Sequence, residues 1–251
     1  MVQPLANDQP GALEPAFPAG RSFDLMVITK PDFFLWESDY LKALLEAGLQ
    51  KLHLRKPKDN PRKMARLLRR LSPKWHSRLV LHGDTSLAPE YGIAQVHYSY
   101  AACKKMRELK IIPKENLPFS TSLHHWEEMD HAQSGLIPEQ GNKLKYVFLS
   151  PLFENISKKG YSANQRLLRR PEKALPCKAI GLGGISADNI KQVMANSWDG
   201  AAMLGWIWEE PKKAVERFRQ IQQVIKEFNI SGGSIPPLSG NTHPNTGSQE
   251  H

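Results

Sequence analysis

The feature that most constrains the fold of this chain is a regular alternation of short apolar runs with amphipathic helical stretches. Short, mostly apolar runs are typical of parallel strands that are buried on both faces. Eight such runs occur along the chain, at residues 24–29, 51–55, 79–82, 95–98, 118–122, 145–150, 178–182 and 201–205. Eight strand–helix rounds in about 205 residues predict one α/β domain, a single (β/α)8 TIM barrel at residues 22–229.

Helix signals fill the intervals between these strands. Asn60 followed by Pro61 is typical of an N-cap and a first helical position, and Ser186 is expected to cap the seventh helix. Gly48 is expected to end the first helix, and the third and sixth helices are expected to be short. Apolar residues at helical spacing predict the buried faces of the first and eighth helices, at Tyr40, Leu41, Leu44 and Leu45 and at Val215, Phe218, Ile221, Val224 and Ile225.

An open, doubly wound parallel sheet is the alternative fold. Such a sheet ordinarily carries a glycine-rich phosphate loop after its first strand. The corresponding residues here are Thr29, Lys30, Pro31 and Asp32, and none of them is glycine. The position of the glycines therefore favours the closed barrel.

The two ends of the chain differ in composition from this core. Residues 1–21 hold four prolines without a hydrophobic period, and residues 230–251 are rich in Gly, Ser, Pro and Asn. Both segments are predicted to be disordered tails, because they offer little apolar surface to bury.

Neither an apolar run of about 18 residues nor a secretory signal occurs, so we expect a cytoplasmic protein without a membrane partner. The two cysteines, Cys103 and Cys177, are expected to be reduced and structural.

A formal net charge of +9 first suggests a nucleic-acid partner. Arg62, Arg66 and Arg69 lie on the outer face of a predicted helix, however, and no aromatic residues alternate with them for base stacking. We therefore expect no nucleic-acid partner. The positive charge instead favours the arrival of small anions, such as phosphorylated substrates.

Glycines at the ends of the seventh and eighth strands predict a phosphate site. In (β/α)8 barrels, backbone N–H groups of the loops after these two strands commonly bind phosphate. The seventh strand ends in GLGGIS, whose paired glycines allow the backbone to approach phosphate oxygens closely. The alternative is that the glycines serve only tight turns. The predicted phosphate-binding residues are Gly183, Gly184, Ile185, Leu204 and Gly205.

Histidines cluster at the carboxyl ends of the predicted strands, where this fold places its catalytic groups. The polar residues at these ends are His53, Arg55, His82, His97, Ser122 and His124. A histidine can take up and release a proton near neutral pH, so at least one of them is predicted to act in acid–base catalysis. A metal centre is the alternative, but no carboxylate completes a ligand pattern and neither HxH nor HExxH occurs, so no metal is predicted.

The segment SPLFENISKKGYSANQ at residues 150–165 follows the sixth strand. Around its glycine it carries Asn155, Ser157 and Lys158. This composition is typical of a mobile lid that brings hydrogen-bond donors and a positive charge to an anionic substrate.

Four motifs occur in order within residues 24–225. They are HLRKP (53–57), STSLHH (120–125), SPLFENISKKG (150–160) and GLGGIS (181–186). Together they resemble the strand-two, strand-five, lid and phosphate-loop motifs of the thiamine phosphate synthase and TenI superfamily. The resemblance implies a (β/α)8 barrel and a role in thiamine biosynthesis.

Synthases of this superfamily hold a pyrophosphate with magnesium, through a strand-two arginine and lysine and through acidic residues after strands three and four. Arg55 matches the arginine, whereas Pro57 occupies the lysine position with Lys58 adjacent. The Asn-Asp pair aligns with His82 and Gly83, and the further aspartate aligns with Ala101 or its neighbour. The resemblance therefore implies that both magnesium carboxylates are absent, and that magnesium is needed only if the chain is a synthase.

The TenI group is the closer match, because it also lacks the aspartate at the position of Gly83 and has Lys-Lys-Gly in the lid. TenI proteins isomerise a thiazole carboxylate phosphate, with a strand-five histidine as proton carrier, and His124 matches that histidine. The resemblance implies a thiazole phosphate tautomerase without a cofactor. Its substrate-binding residues would be Arg55, Lys58, His82, Ser122, Asn155, Ser157 and Lys158.

Two other functions stay open at this point. The first is a divergent thiamine phosphate synthase, in which Lys58, His82 or His97 replaces parts of the magnesium site. The second is a non-catalytic protein that binds thiazole or thiamine phosphates. The expected partner is a small phosphorylated molecule in every case, and a homo-oligomer is compatible with the sequence.

Overall fold

The structure is a computed structural model that describes residues 22–58, 60–113, 117–129, 144–154 and 165–231. These residues form a closed barrel of eight parallel strands in sequence order, so the predicted (β/α)8 barrel is confirmed. The predicted tails lie outside the described residues, apart from residues 230 and 231. The strands are β1 (Asp24–Ile28), β2 (Lys51–Leu54), β3 (Leu79–His82), β4 (Gln95–Ser99), β5 (Phe119–Leu123), β6 (Leu144–Leu149), β7 (Lys178–Leu182) and β8 (Gly200–Met203).

Helices connect most of these strands, whereas residues 83–94, between β3 and β4, form turns and irregular structure. The helices are α1 (Glu37–Glu46), α2 (Pro61–Arg70), α3 (Tyr100–Glu108), α4 (Gln165–Leu168), α5 (Ile190–Ala195), α6 (Gly205–Trp208) and α7 (Ala214–Ile230), with 3-10 helices at Pro73–Arg78 and Pro211–Lys213. The α7 helix extends through Ile230, the first residue of the predicted C-terminal tail. Within the described ranges, no helix has the length and apolar character needed to span a bilayer.

Two of the predicted helix boundaries are confirmed. The Oδ1 atom of Asn60 accepts hydrogen bonds from the N–H groups of Arg62 at 3.0 Å and Lys63 at 3.3 Å, as an N-cap does. Gly48 follows the end of α1 with a φ of +100°, a conformation that glycine adopts without strain.

The predicted helix cap at Ser186 is wrong. The α5 helix begins at Ile190, and Asn189 is the residue that precedes it. Ser186 lies in a turn before the helix, where its Oγ accepts a hydrogen bond from the N–H of Asp188 at 3.2 Å. Its own N–H donates to Asn189 Oδ1 at 2.9 Å. The carbonyl of Ser186 also accepts a hydrogen bond from the N–H of Ile190 at 3.1 Å. Ser186 therefore stabilises the turn that leads into α5, three residues before the residue that caps the regular helix.

The interior of the barrel has an apolar half and a polar half. Alternate residues of a strand point to opposite faces, so every second residue fills the interior. The strands β1, β6, β7 and β8 supply an interior cluster of Met26, Ile28, Tyr146, Phe148, Ile180 and Ala202. The strands β2, β4 and β5 supply the buried polar side chains His53, Gln95, His97 and Ser120. The polar half therefore belongs to a set of neighbouring strands.

A buried ion pair connects the segment after β2 with the start of α1. Lys56 Nζ lies 2.6 Å from Glu37 Oε1, and it also donates to the carbonyl oxygens of Lys30 at 2.8 Å and Asp32 at 3.1 Å. Burial raises the pKa of Glu37 and lowers the pKa of Lys56, because each charged form loses contact with water, and the attraction between the two groups opposes both shifts. The charged form of Glu37 is therefore stabilised by the charge of Lys56, and the charged form of Lys56 by that of Glu37.

Replacing Lys56 by methionine is expected to lower the free energy of unfolding by about 3–5 kcal/mol, because Glu37 would stay buried without its partner. Urea denaturation followed by circular dichroism measures this change. Lys42→Met is the control, since Lys42 forms an exposed pair with Asp39 at 3.4 Å, and such pairs contribute about 0–1 kcal/mol. Equal effects of the two substitutions would contradict the importance of the buried pair.

Candidate active site

A cavity of about 800 Å³ lies at the carboxyl ends of the strands, where barrels of this type carry their active sites. Lys58 is exposed in the turn after Pro57 and does not line it. The predicted lid residues Asn155, Ser157 and Lys158 lie outside the described residues. The predicted site residues that do line the cavity are Arg55, His82, Ser122, His124, Gly183, Gly184, Ile185, Leu204 and Gly205.

His124 follows the end of β5 and lines the cavity. Its Nδ1 atom lies 3.0 Å from the carbonyl oxygen of Ser150, at the end of β6. A carbonyl oxygen can only accept, so Nδ1 carries the hydrogen and Nε2 of the neutral ring is a proton acceptor. The backbone N–H groups of His124 and His125 donate to Glu128 Oε2 at 2.7 and 3.2 Å, which holds the chain after β5 in place.

Arg55 lines the cavity at the end of β2. Its backbone is anchored to Thr29, because the N–H of Arg55 donates to Thr29 Oγ1 at 3.0 Å and its carbonyl accepts from the same hydroxyl at 3.3 Å. Within the described part of the chain, no carboxylate forms an ion pair with the guanidinium. Arg55 therefore offers a positive charge to an anion in the cavity.

Lys56 is a cavity residue that the sequence analysis did not select. Its ammonium group donates to Lys30, Asp32 and Glu37, so its hydrogen-bonding capacity is already used within the protein. The alternation of directions along β2 explains why Arg55 is exposed and Lys56 is buried. The two adjacent cations therefore have different roles, since Arg55 faces the cavity and Lys56 stabilises its wall.

The paired glycines allow a close approach between the loops after β6 and β7. A Cβ atom on Gly183 would lie 2.9 Å from Pro151 Cα, and one on Gly184 would lie 2.4 Å from the carbonyl oxygen of Glu154. The approach is made by backbone hydrogen bonds, from the N–H of Leu152 to the Leu182 carbonyl at 3.0 Å and from the N–H of Phe153 to the Gly183 carbonyl at 3.2 Å. Packing between the two loops therefore requires both glycines.

Backbone donors also border this part of the cavity. Among the described residues, no atom accepts a hydrogen bond from the N–H groups of Gly184 and Ile185. Gly205 begins α6, and N–H groups in the first turn of a helix have no partner within it. The cavity thus presents two sets of amide donors that an anion can use.

Gly184→Ala is expected to destabilise the protein more than Gly92→Ala does. The two glycines have almost the same φ, +64° and +65°, but no atom lies within 4 Å of a Cβ on Gly92. The left-handed conformation alone costs about 1–2 kcal/mol, and Gly184→Ala adds the clash with Glu154. Urea denaturation of both variants measures the difference in the free energy of unfolding. If the two losses were equal, the close approach of the two loops would not be the reason for Gly184.

Three imidazoles lie side by side in the polar half of the barrel. His53 Nδ1 lies 2.8 Å from His82 Nε2, and the ring centroids of His82 and His97 lie 4.0 Å apart. His53 Nε2 lies 2.8 Å from Tyr146 Oη, which joins this cluster to β6 across the interior. Burial lowers the pKa of each of the three histidines, and the pKa of His97 falls to about 3. The positive charge of Arg55 lowers the pKa of His82 and His97 further. All three rings are therefore neutral at pH 7.

The ring of His97 is held between two hydroxyl groups of β5. Its Nδ1 atom lies 2.9 Å from Ser120 Oγ, and its Nε2 atom lies 3.1 Å from Ser122 Oγ. Ser122 therefore orients His97 as well as lining the cavity. The sequence analysis placed His53, His82 and His97 at clustered strand ends and weighed a metal centre as an alternative, but it did not predict direct contacts among the three rings. The shared inward direction of these residues on adjacent parallel strands is the signal that would have indicated these contacts.

Asp84 is a second cavity residue that the sequence analysis missed. It follows the end of β3 by two positions, and its Oδ1 accepts a hydrogen bond from the N–H of Ser86 at 3.0 Å. Motif alignment placed the acidic position at Gly83, so the next residue was not considered. After β4, Ala102 lines the cavity and offers no ligand atom. Among the described residues that line the cavity, Asp84 is the one carboxylate.

Comparison with known proteins shows which family and which relatives this chain is similar to. Residues 25–207 match the family model described as thiamine monophosphate synthase (TMP-TENI). The chain is also similar to the thiamine-phosphate synthase of Listeria innocua, with 24% identity over 176 residues that cover 68% of this chain and 74% of that protein.

Solved structures with similar folds include two with related names. Thiamine phosphate pyrophosphorylase from Bacteroides thetaiotaomicron has a TM-score of 0.65 and 26% identity, and the match covers 81% of this chain and 98% of that chain. Thiamine phosphate pyrophosphorylase from Pyrococcus furiosus has a TM-score of 0.64 and 17% identity, covering 82% and 96% of the two chains. The second similarity concerns the fold alone.

Proposed function

The chain belongs to the thiamine monophosphate synthase and TenI family, and from this premise we propose that it is a thiazole phosphate tautomerase of thiamine biosynthesis. The observation that carries the proposal is the hydrogen bond from His124 Nδ1 to the carbonyl oxygen of Ser150 at 3.0 Å. It leaves Nε2 of a cavity-lining imidazole as a proton acceptor. The assignment to the TenI group within the family is part of this proposal.

His124 carries the proton in the proposed reaction. Its Nε2 atom takes a proton from a ring carbon of the thiazole and then returns it at the exocyclic carbon, so that the substrate is isomerised without gain or loss of atoms. A single imidazole suits this transfer because it accepts and donates a proton near neutral pH. The carbonyl of Ser150 stabilises the imidazolium that forms between the two steps, since it accepts the hydrogen bond from Nδ1.

The acidic groups of the substrate orient it for this transfer. In the proposal, the phosphate lies against the N–H groups of Gly184, Ile185 and Gly205, and the carboxylate lies near the Arg55 guanidinium. All four residues line the same cavity as His124. Fixing both ends of a small substrate keeps the reacting carbons close to one base, which is how positioning contributes to rate.

The oxygen ligands that magnesium prefers are scarce in this cavity. Synthase chemistry in the family uses magnesium with a pyrophosphate, and magnesium favours octahedral coordination by oxygen atoms. The described lining offers one carboxylate, that of Asp84, together with serine hydroxyls and with imidazoles, which fit magnesium poorly. This donor set favours the tautomerase over the synthase.

His124→Ala is expected to reduce tautomerase turnover at least 100-fold and to leave thiazole phosphate binding nearly unchanged, because general acid–base catalysis typically contributes about 10²–10⁴-fold. Ultraviolet absorbance follows the isomerisation, and calorimetry follows the binding. His125→Ala is the matched control, since this neighbour is exposed and does not line the cavity. Full activity of the His124 variant would rule out the proposed acid–base role.

A thiamine phosphate synthase is the second candidate function. Two observations favour it, namely the position of Asp84 in the cavity and the name of the Listeria innocua relative, thiamine-phosphate synthase. In this case Asp84 would hold the magnesium ion that neutralises the charge of the leaving pyrophosphate.

A paired assay separates the candidates. The protein is incubated with pyrimidine pyrophosphate, thiazole phosphate and magnesium, and in parallel with the thiazole tautomer alone. We expect isomerisation that is independent of magnesium, without release of pyrophosphate. Formation of thiamine phosphate that requires magnesium and is lost in Asp84→Asn would establish the synthase instead. Binding of thiazole phosphate without turnover in either arm would indicate a non-catalytic binding protein.

A further inference from the structure

Beneath the cavity, three ring nitrogens converge in the interior of the barrel. His53, His82 and His97 come from the adjacent strands β2, β3 and β4, and one ligand nitrogen of each lies within 4.8 Å of the others. His82 pairs with His97 in the register of β3 and β4, which places the two rings side by side. The arrangement therefore rests on paired strands of the barrel rather than on loops.

We propose that His53, His82 and His97 bind one transition-metal ion of the zinc type at the floor of the cavity. Three imidazole nitrogens are a known ligand set for zinc, with the fourth position left to water or substrate. His82 and His97 also line the cavity, so the fourth position is open to it. The proposed site is independent of the tautomerase assignment.

Hydrogen bonds behind two of the rings suit metal binding. A histidine that binds a metal through one nitrogen usually donates its other N–H to a fixed acceptor. His53 binds through Nδ1 because its Nε2 lies 2.8 Å from Tyr146 Oη. His97 binds through Nε2 because its Nδ1 lies 2.9 Å from Ser120 Oγ. In each case the hydroxyl oxygen accepts the hydrogen bond and fixes the orientation of the ring.

The charge state of the cluster is the one that metals require. Imidazole binds a metal in its neutral form, and burial keeps all three rings neutral. The guanidinium of Arg55 is the cation that acts on both His82 and His97, and its charge opposes a bound cation. An anion in the fourth position, such as hydroxide or an acidic group of a substrate, would reduce the repulsion between Arg55 and the metal ion. The same anion would be attracted by the Arg55 guanidinium.

Metal binding replaces two hydrogen bonds of the cluster. One joins Ser122 Oγ and His97 Nε2 at 3.1 Å, and the other joins His53 and His82. His53 Nδ1 and His82 Nε2 now lie 2.8 Å apart and share a hydrogen. Tetrahedral zinc with metal–nitrogen distances of about 2.0–2.1 Å separates its ligand nitrogens by about 3.3 Å, so the two rings move apart by about half an ångström. His82 then carries its hydrogen on Nδ1, and no net proton is released.

The test is a direct measurement of metal binding by the full chain, prepared without a histidine tag and treated with a chelator. We expect the chain to bind one equivalent of Zn²⁺. Co²⁺ in the same site should give the visible absorption bands of tetrahedral nitrogen coordination. An excess of Mg²⁺ should displace neither Zn²⁺ nor Co²⁺. His82→Asn should abolish this binding. His125→Asn is the control and should retain it, because this histidine lies outside the cluster.

Tyr146→Phe provides a test that removes no ligand and changes only a hydroxyl. Loss of the acceptor behind His53 is expected to weaken Zn²⁺ binding about 10–100-fold. The proposal would be overturned if the wild-type chain did not bind zinc. It would also be overturned if the wild type, His82→Asn and Tyr146→Phe bound zinc equally. Either result would identify the cluster as a hydrogen-bonded network only. Because the readout is metal binding, loss or retention of tautomerase activity has no influence on the result.

Discussion

Hydrogen bonding between β1 and β8 is the constraint on which the rest of the structure depends. It closes the sheet, with Asp24, Leu25, Met26 and Val27 paired to residues of β8. In a closed parallel barrel all strands end at the same rim, so residues far apart in the sequence, such as Arg55, His124 and Gly184, line one cavity. Closure also forces every second side chain into a small interior, where each polar group needs a partner.

Most groups in the polar half of the interior meet this requirement through two sets of hydrogen bonds, which are joined by the stacked rings of His82 and His97. Tyr146 contacts His53, His53 contacts His82, and His97 contacts Ser120 and Ser122. Burying such groups without partners costs about 1–3 kcal/mol each, whereas a satisfied network also fixes the position of its members. The network therefore accounts for polar side chains at positions that most barrels of this kind fill with branched apolar residues.

Residue patterns predicted the strands well because each strand is buried on both faces and carries a short apolar run. The cavity positions of His124, Arg55 and Gly184 were also predictable, because strand ends share one rim. Ser186 was mistaken for a helix cap because serine stabilises turns and helix starts by the same kind of hydrogen bond, and only the backbone conformation separates the two. Asp84 and Lys56 were missed for another reason. Motif alignment assigns roles to fixed positions, whereas the cavity is formed by whichever side chains the backbone directs into it.

The backbone bonds between the loops after β6 and β7 determine which segments of this chain can be exchanged independently. Leu152 and Phe153 are bonded to Leu182 and Gly183, and no side chain beyond hydrogen fits at Gly183 or Gly184. The two loops are therefore one packing unit. A chimaera that replaces the loop after β6 must replace the glycine loop with it, because each loop fits only the backbone of the other.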